Sequence, residues 1–143
     1  MSLPYLYRER MASPMIYVSF PGTAREALGF YAEIFGGELS VYTNKEFGNV
    51  EAPPEAIAHG ELRGTVSVAG SDTSPGGQSV KFEGLMLSLL GTAEPQVLHE
   101  WFDKLAVGGQ VVAPLEPKPW GASDGQVIDQ YGLHWLIGYE PAS

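Results

Sequence analysis

Two residues suited to acid–base chemistry stand close together in the segment Ile57–Leu62, which reads IAHGEL. Successive side chains of a β-strand point to opposite faces, so His59 and Glu61 would share one face while Gly60 and Leu62 face the other way. An imidazole titrates near neutral pH, and a carboxylate beside it can orient the ring as a general base. His59 and Glu61 are therefore the catalytic candidates. The alternative is a hydrogen-bonded pair at a sheet edge that faces solvent.

Four further side chains are weaker candidates, as ligand-binding residues. Tyr17, Tyr42 and His134 lie in segments that read as strands, where alternation could turn them toward the same binding face. Trp120 lies in the loop segment PWGASDG and could line or cover a cavity. For each of these four residues, the alternative is ordinary packing or a partly exposed position.

Two other polar residues are interpreted as structural. His99 lies one helical turn before Asp103, and this spacing is typical of a solvated surface pair. Asp129 begins the segment Asp129–Gly132, which has the composition of a tight turn, and we expect its carboxylate to cap that turn.

An amphipathic helix followed by a strand, over Thr23–Leu39, would position the first of these sites. Thr23 and Glu26 have the spacing of a capping box, and the pair Gly36–Gly37 supplies a left-handed stop. One apolar face of this helix is predicted by residues at helical spacing. These residues are Ala27, Leu28, Tyr31, Ile34 and Phe35.

The same pattern returns about half a chain later, over His99–Val112, with Gly108–Gly109 in the place of the first glycine pair. Leu98, Trp101, Phe102 and Leu105 would form the buried face of this second helix. The midpoint segment Gly70–Gln78 has the composition of a linker. The echo predicts a duplication, with one βαβββ repeat at about 15–70, the linker at about 70–80 and a second repeat at about 81–140.

Eight strands complete the two predicted repeats, and the fold class that follows is α+β in a single domain. Pro114–Pro119 is interpreted as a proline-rich connection and residues 1–14 as an N-terminal arm, whose first residues are compatible with an expression remnant. The predicted strands are Met15–Phe20, Glu38–Thr43, Ile57–Leu62, Thr65–Ala69, Gly84–Leu90, Gln110–Ala113, Gly125–Asp129 and Leu133–Tyr139.

Composition excludes several classes of function. The chain has 8 basic and 17 acidic residues, a net charge of −9, so it would repel nucleic-acid phosphates and anionic lipid. It has no cysteine, which excludes disulfides, thiolate nucleophiles and cysteine-ligated zinc. No segment reads as a membrane span or a secretory signal, so we expect a cytoplasmic protein.

Several motifs together resemble the PhnB-like branch of the vicinal oxygen chelate superfamily, which includes glyoxalase I, bleomycin-resistance proteins and extradiol dioxygenases. The resemblance runs from about Met15 to Glu140. It implies two βαβββ modules whose mixed sheets curl around a shared cavity, and it implies a homodimer. The segments that carry it are EALGFYAEIFGGEL, AIAHGEL, GSD, WFDKLAVGG, PWGASDG and IDQYGLHWLIGY.

The resemblance also implies a metal site with one ligand from each of four strands. The four positions fall near Ile16 or Tyr17, at His59, at Gly84 and at Leu136, so only His59 is a credible ligand. One imidazole does not hold a catalytic metal, which needs about three protein ligands. We therefore expect no cofactor. If a divalent metal is bound, Glu61 and His134 would have to join His59.

Two hypotheses for function follow. The first is a protein that binds a small organic molecule in the sheet cavity without a metal, as bleomycin-resistance proteins do. The second is a lyase, isomerase or dioxygenase-type enzyme that uses His59 and Glu61, with or without a divalent metal. Members of this branch often carry a methyltransferase label, but the chain has no strand followed by a glycine-rich loop for a nucleotide-type cofactor.

Overall fold

The structure is a computed structural model that describes residues 13–142 of the chain. Most of the N-terminal arm predicted at residues 1–14 therefore lies outside the described residues. The described chain forms two compact units, which divide between Ser79 and Val80. In this part of the chain, neither of the two helices is long and apolar enough to cross a bilayer.

The first unit is a four-stranded mixed sheet with one helix against it. Its strands lie in the order β1-β4-β3-β2, with β1 parallel to β4 and the other neighbours antiparallel. In chain order the elements are β1 Tyr17–Phe20, α1 Ala24–Phe35, β2 Glu38–Thr43, β3 Ile57–Arg63 and β4 Val68–Asp72.

The second unit repeats this arrangement. Its strands lie in the order β5-β8-β7-β6, with β5 parallel to β8 and the other neighbours antiparallel. In chain order the elements are β5 Leu87–Leu90, α2 Pro95–Ala106, β6 Gln110–Pro117, β7 Ser123–Ile128 and β8 His134–Tyr139. The prediction of two βαβββ repeats in an α+β fold is thereby confirmed.

Each helix buries the apolar face that its sequence predicts. The five predicted residues of α1 are all buried, together with Ala24. The four predicted residues of α2 are also buried. The strands supply the other side of each core, with Val18, Phe20 and Leu62 under α1 and with Val127, Trp135 and Ile137 in the second unit. Burial of apolar area is therefore the main force that holds each helix to its sheet.

The side-chain cap predicted from Thr23 at the start of α1 is wrong. Thr23 makes no side-chain capping hydrogen bond. The carboxylate of Asp72, at the end of β4, accepts from the backbone N–H of Ala24 at 2.9 Å and from that of Ile57 at 2.8 Å. A carboxylate at a helix N-terminus satisfies an orphan N–H and complements the helix dipole. Asp72 therefore ties the start of the helix to two strands.

Several predicted boundaries are also wrong. The strand expected at Gly84–Leu90 begins only at Leu87. The strand expected at Thr65–Ala69 lies at Val68–Asp72, so the linker begins after Asp72 rather than at Gly70. The strand expected to end at Ala113 continues to Pro117 as an edge strand with two register irregularities. Proline is tolerated there because an edge strand leaves one row of N–H groups without ladder partners.

Candidate functional site

Helix α1 covers one face of the first sheet, and we call the face that the helix does not cover the open face. A Cβ added to Gly60 would lie 2.7 Å from a methyl carbon of Leu28 on α1, so Gly60 faces the helix. Strand alternation then places His59, Glu61 and Arg63 on the open face. The strand β3 that carries them lies between β2 and β4, so they are not at an edge of the sheet.

Four side chains form a continuous polar row on this open face, which we call the relay. The guanidinium Nε of Arg63 lies 2.5 Å from Oε2 of Glu61, and the other carboxylate oxygen lies 3.4 Å from Nε2 of His59. On the far side of the imidazole, Nδ1 lies 3.0 Å from the hydroxyl of Tyr17. The relay therefore runs Arg63, Glu61, His59, Tyr17, and it engages both nitrogens of His59.

Strand order explains why Tyr17 reaches a residue so distant in sequence. Tyr17 on β1 pairs with Ala69 on β4, and Ala69 pairs with Glu61 on β3. Because Ala69 is small, the phenol can extend across it toward β3. The rings of Tyr17 and His59 are nearly parallel, at 25° and with centroids 5.6 Å apart.

The charges of the relay compensate one another. The side chains of His59 and Glu61 are only 14% and 11% exposed, whereas that of Arg63 is 25% exposed. Withdrawing a carboxylate from water costs several kcal/mol unless a partner replaces the solvent. Arg63 supplies that partner, and its charge-assisted hydrogen bond is of the strong kind.

Tyr42 shares the open face, because it pairs with His59 in the register between β2 and β3. Its ring stacks on Phe47 at a centroid distance of 5.4 Å. The first unit therefore brings together His59, Glu61, Tyr17 and Tyr42, which are four of the six candidate residues.

The other two candidates, His134 and Trp120, belong to the second unit. Nε2 of His134 lies 3.0 Å from Oε1 of Gln126 on the neighbouring strand β7. Trp120 lies between β6 and β7 and is 71% exposed. His134 is thus held by a neutral amide, and the Trp120 indole is a surface group.

The residues interpreted as structural have clear partners. Asp129 is buried, and its carboxylate accepts from the backbone N–H groups of Tyr131 and Leu133 and from the indole N–H of Trp135. Its predicted capping of the turn is confirmed. Nε2 of His99 lies 3.0 Å from the hydroxyl of Tyr139, so its observed partner is not the predicted Asp103.

The residues present do not fit the four-ligand metal site that the superfamily often has. In residues 13–142, no three His, Asp or Glu side chains are grouped so that they could hold a metal ion. The side chains of Gly84 and Leu136 have no atom that could bind a metal ion. Both nitrogens of His59 already face Tyr17 and Glu61. The improvised set of His59, Glu61 and His134 is not such a group among the described residues.

Two clefts at one end of the first unit are lined by no residue of the relay. One, of about 230 Å³, is lined by residues that include Asn44, Pro53, Ile57 and Asp72. The Asp72 carboxylate there is already bonded to two backbone N–H groups. The charged group of this cleft is therefore already used in the backbone hydrogen bonds of the fold.

Sequence reasoning missed Arg63 and Gln126. Arg63 follows Glu61 by two residues, so strand parity alone would have placed it on the same face. It was missed because the strand was expected to end at Leu62. Gln126 has no local signal, because its role depends on a histidine of the adjacent strand.

The duplicated βαβββ arrangement and the open-faced sheets define the class of this protein. The family model of the Glyoxalase/Bleomycin resistance protein/Dioxygenase superfamily matches residues 17–137. The chain belongs to this superfamily, as the resemblance of its motifs predicted.

Known proteins are similar over nearly the full length. The chain is 28% identical over 135 residues to protein YjdN of Escherichia coli (strain K12), covering 85% of this chain and 90% of that protein. The crystal structure of protein PA1353 from Pseudomonas aeruginosa matches with 30% identity and a TM-score of 0.74, covering 90% of this chain and 98% of the other.

A PhnB protein from Bacillus cereus, described as a putative 3-demethylubiquinone-9 3-methyltransferase, matches with a TM-score of 0.75. The match covers 90% of this chain and 99% of that one, at 20% identity. This likeness shows a shared fold, and the PhnB-like resemblance is thereby confirmed at the level of structure.

Proposed function

We propose that this protein binds a small organic molecule on the open face of its first sheet, without the four-ligand metal of its superfamily. The observation that carries the proposal is the relay of Arg63, Glu61, His59 and Tyr17. It places polar groups of fixed geometry beside two tyrosine rings on a face that the helix does not cover. Aromatic walls with a few oriented polar groups are typical of small-molecule sites.

Three features support this function over catalysis by a metal. At two of the four family ligand positions, Gly84 and Leu136, the side chain has no atom that could bind a metal ion. His59 is engaged on both ring nitrogens. Glu61 is paired with Arg63, which occupies one of its oxygens.

A thermal-shift screen of small aromatic and heterocyclic compounds, with and without added divalent metals, tests this proposal. A ligand that binds only the folded state, at a free concentration of 100 times its Kd, should raise the free energy of unfolding by about 2.7 kcal/mol. We expect this rise in the wild-type protein, without a metal requirement, and a much smaller rise in His59→Ala. His99→Ala is the matched control, because it removes a histidine that contacts a tyrosine in the second unit. Stabilisation that is equal in His59→Ala and wild type would contradict the site.

A second candidate function is proton transfer, as in a lyase or isomerase. It is favoured by the contact of His59 with both an acceptor, Glu61, and a phenol, Tyr17. Once a substrate displaces the Tyr17 hydroxyl from Nδ1, His59 would take a proton from a substrate carbon at that nitrogen and return it to a different atom, while Glu61 orients the ring. Turnover that disappears in His59→Ala but survives removal of metals by a chelator would support this function over simple binding.

Formation of a homodimer stays a prediction from the family resemblance. Sedimentation equilibrium of the full chain tests it directly. A mass of one chain at all accessible concentrations would contradict it.

A further inference from the structure

We propose that Tyr17 is the ligand-contacting end of the relay and that it acts there as a hydrogen-bond acceptor, which selects small molecules with an O–H or N–H donor. This inference rests on the proposed function and specifies the chemistry of the same site. It depends on the direction of each hydrogen bond in the relay.

The direction follows from the inner end of the relay. Arg63 has only N–H donors, and the Glu61 carboxylate beside it only accepts. The contact between Glu61 Oε1 and Nε2 of His59 therefore requires a proton on Nε2. In the neutral imidazole the other nitrogen, Nδ1, then has a lone pair and no proton.

The lone pair of Nδ1 decides how Tyr17 is oriented. The Tyr17 hydroxyl lies 3.0 Å from Nδ1, so with this tautomer its O–H donates a hydrogen bond to His59. Because its single proton is used in this way, the phenol oxygen can only accept in any hydrogen bond with a molecule on the open face. Tyr17 is 52% exposed, whereas the side chain of Arg63 at the other end of the relay is 25% exposed, so Tyr17 is the more accessible end.

An acceptor at this position defines a class of ligand. A hydroxyl, an amine or an amide N–H can donate to the phenol oxygen, but an ether or a fully deprotonated anionic group cannot. The net charge of −9 also disfavours anionic ligands. The nearby Tyr42 and His59 rings would pack against an apolar or aromatic body.

The two other histidines provide internal controls. His99 contacts Tyr139, as His59 contacts Tyr17, and His134 contacts Gln126. Within the described residues, no carboxylate contacts the ring of His99 or of His134. Only His59 therefore has a carboxylate to select its tautomer.

Long-range ¹H–¹⁵N NMR of the imidazoles in the full chain, without ligand, tests the direction of the relay. At a pH where His59 is neutral, we expect the proton on Nε2 and an unprotonated Nδ1. Tyr17→Phe should shift the Nδ1 resonance of His59 and leave His99 and His134 unchanged. Tyr139→Phe is the matched control and should shift only His99. A proton on Nδ1 of His59 in the wild-type protein would overturn the proposal.

Glu61→Gln tests the selection of the tautomer, because an amide can donate as well as accept. We expect a mixture of His59 tautomers in this variant. If unpaired Arg63 prevents its folding, the double variant Glu61→Gln with Arg63→Met removes the charge and permits the same measurement. An unchanged, fully Nε2-protonated His59 would show that Glu61 does not orient the ring and would overturn the relay.

The ligand class is tested with phenol and its methyl ether, anisole, as matched probes. We expect phenol to bind about fivefold more tightly than anisole to the wild-type protein, the effect of one net hydrogen bond. The preference should vanish in Tyr17→Phe and persist in Tyr139→Phe. Equal binding of the two probes to wild type overturns the acceptor role. Because the tautomer measurement needs no ligand, its failure is distinguishable from failure of the proposed function.

Discussion

The two units of this protein share a framework and differ on their open faces. Helices α1 and α2 have the same length, and one constant offset in sequence relates both their first and their last residues. The same offset relates Tyr17 on β1 to Ser88 on β5. The sheet register then equates the row Tyr17, Ala69, Glu61 with the row Ser88, Leu136, Gln126.

The two rows differ in chemistry although their backbones correspond. The first contains a carboxylate that is linked to an arginine, a histidine and a phenol. The second contains a neutral amide that contacts His134, with Leu136 and Ser88 beside it. The helix-facing sides must fill a core and are constrained by packing. The open faces do not pack against these helices, so one of them could acquire polar function without loss of the helix-facing core.

The largest expected effect is on the shared framework. Trp135→Ala should lower the free energy of unfolding by about 3–5 kcal/mol, because it leaves a cavity and removes a donor from buried Asp129. Leu136→Ala, one residue further and on the open face, should cost less than about 1 kcal/mol. Urea denaturation of the full chain measures both. Similar losses in the two variants would contradict the division into a stabilising face and a functional face.

A smaller effect is expected within the relay. Arg63→Met should cost about 2–3 kcal/mol, because it leaves the largely buried Glu61 carboxylate without its cationic partner. The register places Ile128 at the corresponding position of the second unit, so Ile128→Met is the matched control and should stay within about 1 kcal/mol. Thermal denaturation at constant pH compares them. A loss from Arg63→Met no larger than that of its control would show that the ion pair contributes no net stability.

The next smaller effect on stability is expected at the starts of the two helices. Asp72→Ala should cost about 2 kcal/mol, because it leaves the N–H groups of Ala24 and Ile57 without their acceptor. Helix α2 starts with Pro95 and has no side-chain cap from Glu94, so Glu94→Ala should change stability by less than about 0.5 kcal/mol. Urea titrations of the two variants test this difference, and equal values would assign Asp72 no capping role.

The smallest effect is expected when the second row is converted toward the first. Gln126→Glu places a carboxylate beside His134, and the position equivalent to Arg63 is Ile128, which has no charge. We expect the free energy of unfolding to fall by less than about 1 kcal/mol, because the partly exposed carboxylate keeps some hydration. Adding Ile128→Arg should recover this loss. A double variant that is less stable than Gln126→Glu alone would show that the two open faces are not equivalent.

Much of the fold could be predicted from the sequence because its signals are local. Helical spacing identified every buried residue of α2, and the predicted strand Glu38–Thr43 has the observed bounds. The parity of Ile57–Leu62 put His59 and Glu61 on one face without any tertiary information. Errors occurred where a local signal was ambiguous, as in Gly70-Ser71-Asp72, which has the composition of a linker but forms the end of a strand.

The sequence by itself determined the two repeats, their helix-facing cores and the pairing of His59 with Glu61. These features depend on residues within a few positions of one another, where the periods of helix and strand operate. Only the tertiary structure decided that Tyr17 completes the relay and that Asp72 caps α1. Those contacts join residues 42 and 48 positions apart, and they form because strand order places β4 between β1 and β3. No local periodicity encodes such a juxtaposition, since it depends on which strands become neighbours when the sheet assembles.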